Sequence, residues 1–394
     1  MTKFTVRILT AVLTFAIGVA IATAWVFDRT EEPTIAPVQL SSNGQAMEMV
    51  FVLDTTGSMG GLLTGAKERI WGIVNEVMQT SSVSSVKVGL VAYRDRGDQY
   101  ITQVLPLTED LDKVYSTLMT YDAQGGGDEP EDVRRALAEG VAKAGWSQPA
   151  PGHAQILFLV GDAPPHDYTD EPDTLTTADL AVKQGIIVNT IQCGNSVATE
   201  HVWEAIARRG QGQYFLIPQN GGVQTVLTPY DDELSELGGR LGKTYLAYGG
   251  GAGKDGEDFR AMQKGMMDSV EYSISTRSAP SAAAERSVNK ALNSKAYIGD
   301  LLQDIENGSI KFDSVKTEDL PSELQKLSVE ERTKYIENRL ADRAEIRKQI
   351  MALSKQRTEY IAAEQKKRKG GAQNGFDVAV SAALREQLAK KGIR

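Results

Sequence analysis

Met47-Glu48-Met49-Val50-Phe51-Val52-Leu53-Asp54-Thr55-Thr56-Gly57-Ser58-Met59 is the stretch on which the fold turns. From Met47 to Leu53 only Glu48 breaks an apolar run that lacks period-two alternation, so it reads as a strand buried on both faces. The run stops at an acid, and hydroxyls follow at Thr56 and Ser58. Gly57 lets the chain curl so that the three oxygen groups converge on one side of a tight loop. Hard oxygen donors of this kind suit Mg²⁺, Ca²⁺ or Mn²⁺ rather than zinc or copper. The same triplet is equally an Asx turn that caps a helix.

Outward from this point the pattern alternates. Leu63, Ala66, Ile70, Ile73 and Val77 recur at helical spacing, and strands are predicted over Val86–Tyr93 and Ile101–Leu105. Helices over Leu111–Met119 and Glu131–Ala144 precede a buried strand, Gln155–Val160. Helix Leu175–Gln184, strand Gly185–Cys193, helix Val202–Arg208, strand Gln213–Ile217 and a closing helix, Val223–Leu241, complete the series. Such alternation predicts an α/β fold, a doubly wound, mainly parallel, Rossmann-like sheet. Ligands of these sheets sit at the carboxyl ends of the strands. Asp162, in Leu159-Val160-Gly161-Asp162-Ala163-Pro164-Pro165-His166, also follows a buried strand directly, so it emerges at the same edge as Asp54. Two acids there would repel, and a cation resolves the conflict.

The element DTTGSM after a hydrophobic strand resembles the metal-ion-dependent adhesion site of von Willebrand factor A (vWA) domains, and LVGDAPPH resembles the strand-end acid that completes it. VGLVAYRD and WEAIARRGQGQYFLI extend the likeness over residues 47–245. The resemblance implies that Thr56 and Ser58 give hydroxyls, that Asp54 and Asp162 bind directly or through water, and that an open position accepts a partner's acidic side chain. The family usually supplies a threonine from a middle loop. Here that loop reads Gly125-Gly126-Gly127-Asp128-Glu129-Pro130-Glu131-Asp132 and has none. Aligned on Ala136-Leu137, Glu131 takes the threonine's place, with Asp128 the other candidate; alternatively these acids only favour the positive end of the next helix. A carboxylate there would hold the cation more firmly and weaken its pull on an acidic partner group.

At the N-terminus, Lys3 and Arg7 precede an apolar run, Ile8–Phe27, with Ala22-Thr23-Ala24 in the form of a peptidase site. Residues 1–27 thus read as a signal peptide or an uncleaved transmembrane anchor, either of which exports the rest to the periplasm or the outer face of an inner membrane. Residues 28–46 read as a linker, and 246–292, rich in Gly, Ser and Ala, as a second, weakly structured one. Residues 293–394 read as helical. Ser328 and Glu331 form a capping box ahead of a long charged helix, in which Arg339, Arg343 and Arg357 interrupt a coiled-coil stripe. Phe376, Val380, Leu384 and Leu388 mark a final helix, expected to fold back on the long one as a hairpin.

A net charge of -9 argues against a nucleic-acid binder. Cys193 is the one cysteine, which excludes an intrachain disulfide and reads as a small buried hydrophobe. His153, His166 and His201 share no zinc-site spacing. The sequence therefore points to a cation-dependent protein-binding module of the cell envelope and not an enzyme. The alternatives are a cation-dependent hydrolase using the same acids with His166, or the partner subunit of an ATPase. Oligomeric state is not legible.

Overall fold

The computed structural model describes residues 45–80, 83–127, 130–217, 226–277, 279–293, 295–367 and 374–393. Its centre is β1 (Gln45–Asp54), which is buried from Met47 to Asp54 because it has a strand on either side and helices on both faces. A 3-10 turn, Gly57–Met59, leads into α1 (Leu62–Thr80) and then β2 (Val83–Tyr93). β3 (Thr102–Thr108), α2 (Leu111–Thr120), α3 (Val133–Ala142) and β4 (His153–Gly161) follow, then α4 (Thr174–Lys183), β5 (Ile186–Cys193), α5 (Val197–Arg209) and β6 (Gln211–Ile217). The sheet order is β3-β2-β1-β4-β5-β6, parallel throughout except for β3 at the edge. The predicted fold class holds.

Each strand sends alternate side chains to opposite layers. Met49, Phe51 and Leu53 join Ile70, Trp71, Val74, Val114 and Leu118 in one core, while Val50 and Val52 join Leu137, Leu157, Leu159 and Trp203 in the other. Phe51 stacks on Phe158 with centroids 5.2 Å apart, fixing β1 against β4. That register pairs Leu53 with both Ala92 and Val160, so Asp54 and Asp162 leave the sheet at one edge.

Beyond β6 come α6 (Asp231–Gly242), α7 (Gly253–Arg277) and α8 (Pro280–Leu292). The stretch 246–292, expected to be weakly structured, thus carries all of α7 and α8. Its small residues serve close packing: in α8, Ser281–Ala284 and Ser287 are buried, and Gly238 of α6 faces Ser287 so closely that a Cβ there would overlap its hydroxyl. The predicted helical region then runs through α9 (Leu301–Glu306), α10 (Ser322–Gln325), α11 (Val329–Lys367) and α12 (Asn374–Lys390).

The capping box forms as predicted, Ser328 N–H donating to Glu331 at 2.8 Å and Glu331 N–H to the Ser328 hydroxyl at 3.2 Å. The coiled-coil reading of α11 needs correction, because Ile336, Ile346 and Ile350 are buried among this chain's own helices. Two of the arginines that break the stripe fix the helix in place. Arg343, fully buried, meets Asp300 at 2.5 Å, and Arg357 meets Asp231 at 2.7 Å. The expected hairpin is also corrected: Phe376, Val380, Ala383, Leu384 and Leu388 of α12 enter the sheet's core beside Phe215 and Ile217. Gln387 and Asn189 of β5 exchange buried amide hydrogen bonds of 2.8 and 3.1 Å. Residues Gly44–Arg394 form one compact unit.

The transmembrane expectation is corrected as well. Among the described residues no helix is long and apolar enough to cross a membrane, and the run from residue 8 to 27 that suggested one lies outside them.

Candidate metal centre

Asp54 ends β1 with no solvent exposure, and its Oδ1 accepts from the Thr56 backbone N–H at 2.8 Å and the Thr56 hydroxyl at 2.6 Å. The Thr56 and Ser58 hydroxyls lie 3.1 Å apart, and Ser58 donates to Asp162 Oδ1 at 3.0 Å. A continuous polar chain therefore runs Asp54–Thr56–Ser58–Asp162 across the gap between β1 and β4. Thr55 points the other way and ties the turn down, donating to the Tyr93 carbonyl at 2.9 Å. Asp162 is held from behind by Thr199, whose hydroxyl donates to its carbonyl at 2.9 Å. Gly161 has to be glycine for this approach. A Cβ there would lie 3.0 Å from the Asp54 carboxylate and overlap the Tyr93 hydroxyl.

Glu131 comes from the middle loop and is only 1% exposed. Its backbone is pinned on both sides, N–H to the Pro164 carbonyl at 3.1 Å and carbonyl to His166 N–H at 2.9 Å. The helix-end role proposed for these acids belongs to its neighbour: Asp132 caps α3 through Arg135 N–H at 3.1 Å. Glu131 instead turns inward to Thr56. A Cβ on Gly126 would sit 3.2 Å from both Glu131 Oε1 and Thr56 Cβ, so the left-handed Gly126 (φ 72°) leaves the space in which they meet. Asp128, the other candidate, lies outside the described residues.

Burial raises the Asp54 carboxyl to about 7; the charge of Asp162 adds to the rise and the Thr56 hydroxyl opposes it. Glu131 is pushed further, to about 9, by burial and then by the charges of Asp54, Asp95 and Asp98. Asp54 Oδ2 and Glu131 Oε2 are both buried and have no hydrogen-bond partner, the Tyr93 hydroxyl beside Asp54 engaging the Val160 carbonyl at 3.5 Å. Buried carboxylate oxygens left in this state are costly. Carboxylate oxygens together with hydroxyls are the kind of donor a hard divalent cation takes. Among the described residues no three His, Cys, Asp or Glu side chains gather into a metal-holding group by themselves. Hydroxyls from Thr56 and Ser58 would have to supply part of any coordination here.

Sequence reasoning missed the acids behind Glu131. Asp95 follows β2 as Asp54 follows β1, and its carboxylate accepts from the Tyr168 hydroxyl at 3.0 Å. Asp98 accepts from the Gly126 N–H at 3.0 Å, which holds the glycine loop over the site. The signal was present as a charged Tyr93-Arg94-Asp95-Arg96 run directly after a buried strand. His166, the base that a hydrolase would need, lies 3.5 Å from Asp95 with its ring against Tyr168.

Residues 48–228 match the family model described as von Willebrand factor A domain. The chain is 40% identical over 92 residues to von Willebrand factor A domain-containing protein 7 of Rattus norvegicus, covering 23% of this chain and 10% of that protein. It is 34% identical over 133 residues to the Homo sapiens protein of that name, covering 33% of this chain and 14% of the other. The chain thus spans about a tenth of the length of these curated relatives. Among solved structures it is similar to the SpRpn10 VWA domain, with a TM-score of 0.34 and 15% identity over 45% of this chain and 89% of that one. It is also similar to the pilus adhesin SpaC from Lactobacillus rhamnosus GG, with a TM-score of 0.34 and 14% identity over 44% of this chain and 28% of that one. Residues 48–228, which carry the six-stranded sheet, are thus similar to a von Willebrand factor A domain.

Proposed function

We propose that the vWA domain holds a divalent cation, Mg²⁺, Mn²⁺ or Ca²⁺, with Asp54, Thr56, Ser58, Glu131 and Asp162, and uses that face to bind a protein partner without catalysis. The observation that carries the reading is the pair of buried, unpartnered carboxylate oxygens, Asp54 Oδ2 and Glu131 Oε2, on two acids that meet at Thr56. When bound, the cation supplies charge neutralisation and an open Lewis-acid position for a partner's oxygen. The protein's own residues do the rest: Thr55, Thr199 and Gly161 position the donors before any ion arrives, so little ordering accompanies binding. The apolar run at residues 8–27, flanked by basic and acidic residues, supports export to the periplasm.

Calorimetric titration of the chain with Mg²⁺, Mn²⁺ and Ca²⁺ tests this. Asp54→Ala is expected to abolish binding, and Glu131→Thr to weaken it about 10- to 100-fold, the usual range for altering a metal site's supporting shell. No heat from any of the three ions would remove the cation. Unchanged or tighter binding in Glu131→Thr would remove Glu131 from the donor set.

A further inference from the structure

We propose that the partner bound at this face is a basic protein segment, one that gives the cation a neutral oxygen and sets lysine or arginine against the carboxylates around it. The inference rests on the reading of Asp54, Glu131 and Asp162 as cation donors, and it departs from the acidic partner that the family resemblance implies.

The reason is the charge the fold has gathered. Asp54, Asp95, Asp98 and Glu131 are satisfied by neutral donors or by none: the Thr56 hydroxyl and amide for Asp54, the Tyr168 hydroxyl for Asp95, and the Asp95 and Gly126 amides for Asp98. The arginines of this edge are committed elsewhere. Arg94 goes to Asp122, Arg96 to Asp132 and Asp170, Arg134 to Asp167, and Arg135 to Glu171. Asp95 has one ionisable cationic neighbour, His166, at 3.5 Å.

A doubly charged ion offsets two of these four negative charges, and Asp162 adds another. The face stays negative with its cation in place. An incoming carboxylate meets net repulsion there, whereas a backbone carbonyl or side-chain amide does not. An adjacent ammonium or guanidinium gains from Asp98, which is only half-buried.

The test uses the full chain in Mg²⁺ buffer at physiological ionic strength, with two dye-labelled peptide pools read by fluorescence polarisation. Both pools share a Gly/Ser/Asn/Leu background; one carries Lys and Arg, the other Asp and Glu. The basic pool is expected to bind, losing about tenfold in affinity with Asp98→Asn, which keeps an acceptor for the Gly126 amide. The acidic pool is expected to bind only after Glu131→Thr. Stronger binding of the acidic pool by the unaltered chain would overturn the proposal. So would basic-pool binding indifferent to both Asp98→Asn and Asp54→Ala, since that is general attraction to an acidic protein. A parallel Mn²⁺ titration of the same chain separates the two readings. If Mn²⁺ binds while the acidic pool prevails, the partner inference alone fails; if Mn²⁺ does not bind, the cation reading fails first.

Discussion

Glu131 is held by its backbone before any ligand arrives, and its carboxyl has nowhere to go but toward Thr56 and Asp54. The consequence is a pH dependence opposite to that of ordinary surface acids. Asp54 and Glu131 titrate near 7 and 9, well above their unfolded values, so each favours the folded state when protonated. That contribution is complete at low pH and is lost as pH rises through those values. In chelator the melting temperature is therefore expected to fall between about pH 6 and 9, and Asp54→Asn should flatten the decline. If the proposed cation site is right, added Mg²⁺ is expected to bind the ionised forms, restore the loss and release protons. A melting temperature in chelator that stays level or rises over that range would contradict the arrangement. At this scale Asp54, Thr56, Ser58 and Asp162 were legible because each sits at a strand end or in its turn. For Glu131 the sequence left two readings open, the threonine's place or the helix end, and the structure gives the helix end to Asp132.

Among the elements, α12 shows most plainly how pattern and placement come apart. Its four-residue apolar repeat was readable, but a repeat names a buried face without naming what covers it. The sheet covers it rather than the long helix, with Phe376 set edge-on to Phe215 at 6.1 Å. At roughly 1.5–3 kcal/mol for each large apolar side chain, Phe376, Val380, Leu384 and Leu388 together contribute about 6–12 kcal/mol as an upper estimate. Whole domains have about 5–15 kcal/mol to lose. Removal of residues 374–394 is thus expected to unfold or aggregate the sheet core. A truncated chain with a native urea midpoint would show that α12 is dispensable. Similar reasoning explains α8 and α11: Ala and Ser were taken for a linker and Arg for solvent, yet both are what tight helix packing and buried ion pairs require.

For the whole molecule, the sheet and the C-terminal helical region are distinct in architecture but are tied together by buried polar contacts. Asp112 of α2 meets Arg286 at 2.7 Å and Lys290 at 3.2 Å, and both cations also bind Glu271 of α7. Asn75 of α1 donates to the Glu285 carbonyl of α8 at 2.8 Å. Breaking a buried ion pair costs about 3–5 kcal/mol, so separating the two layers is unfavourable short of unfolding both. One cooperative transition is expected, with tryptophan fluorescence, which reports Trp71 and Trp203 in the sheet layers, coinciding with far-ultraviolet dichroism, which α11 dominates. Two separated midpoints would show that the helices fold independently.

The last turn of α12 also fixes where the folded unit closes. Gly152 N–H donates to the Lys391 carbonyl at 3.1 Å, Lys391 reaches the Gly185 carbonyl at 3.1 Å, and Gln45 reaches the Gly392 carbonyl at 3.2 Å. These residues lie where parallel strands begin, and the acidic rim lies where they end. Tension applied between Gln45 and Ile393 would be borne across that rear seam, through a few hydrogen bonds and the seat of one helix. The acidic rim would feel it only after the seam had given way.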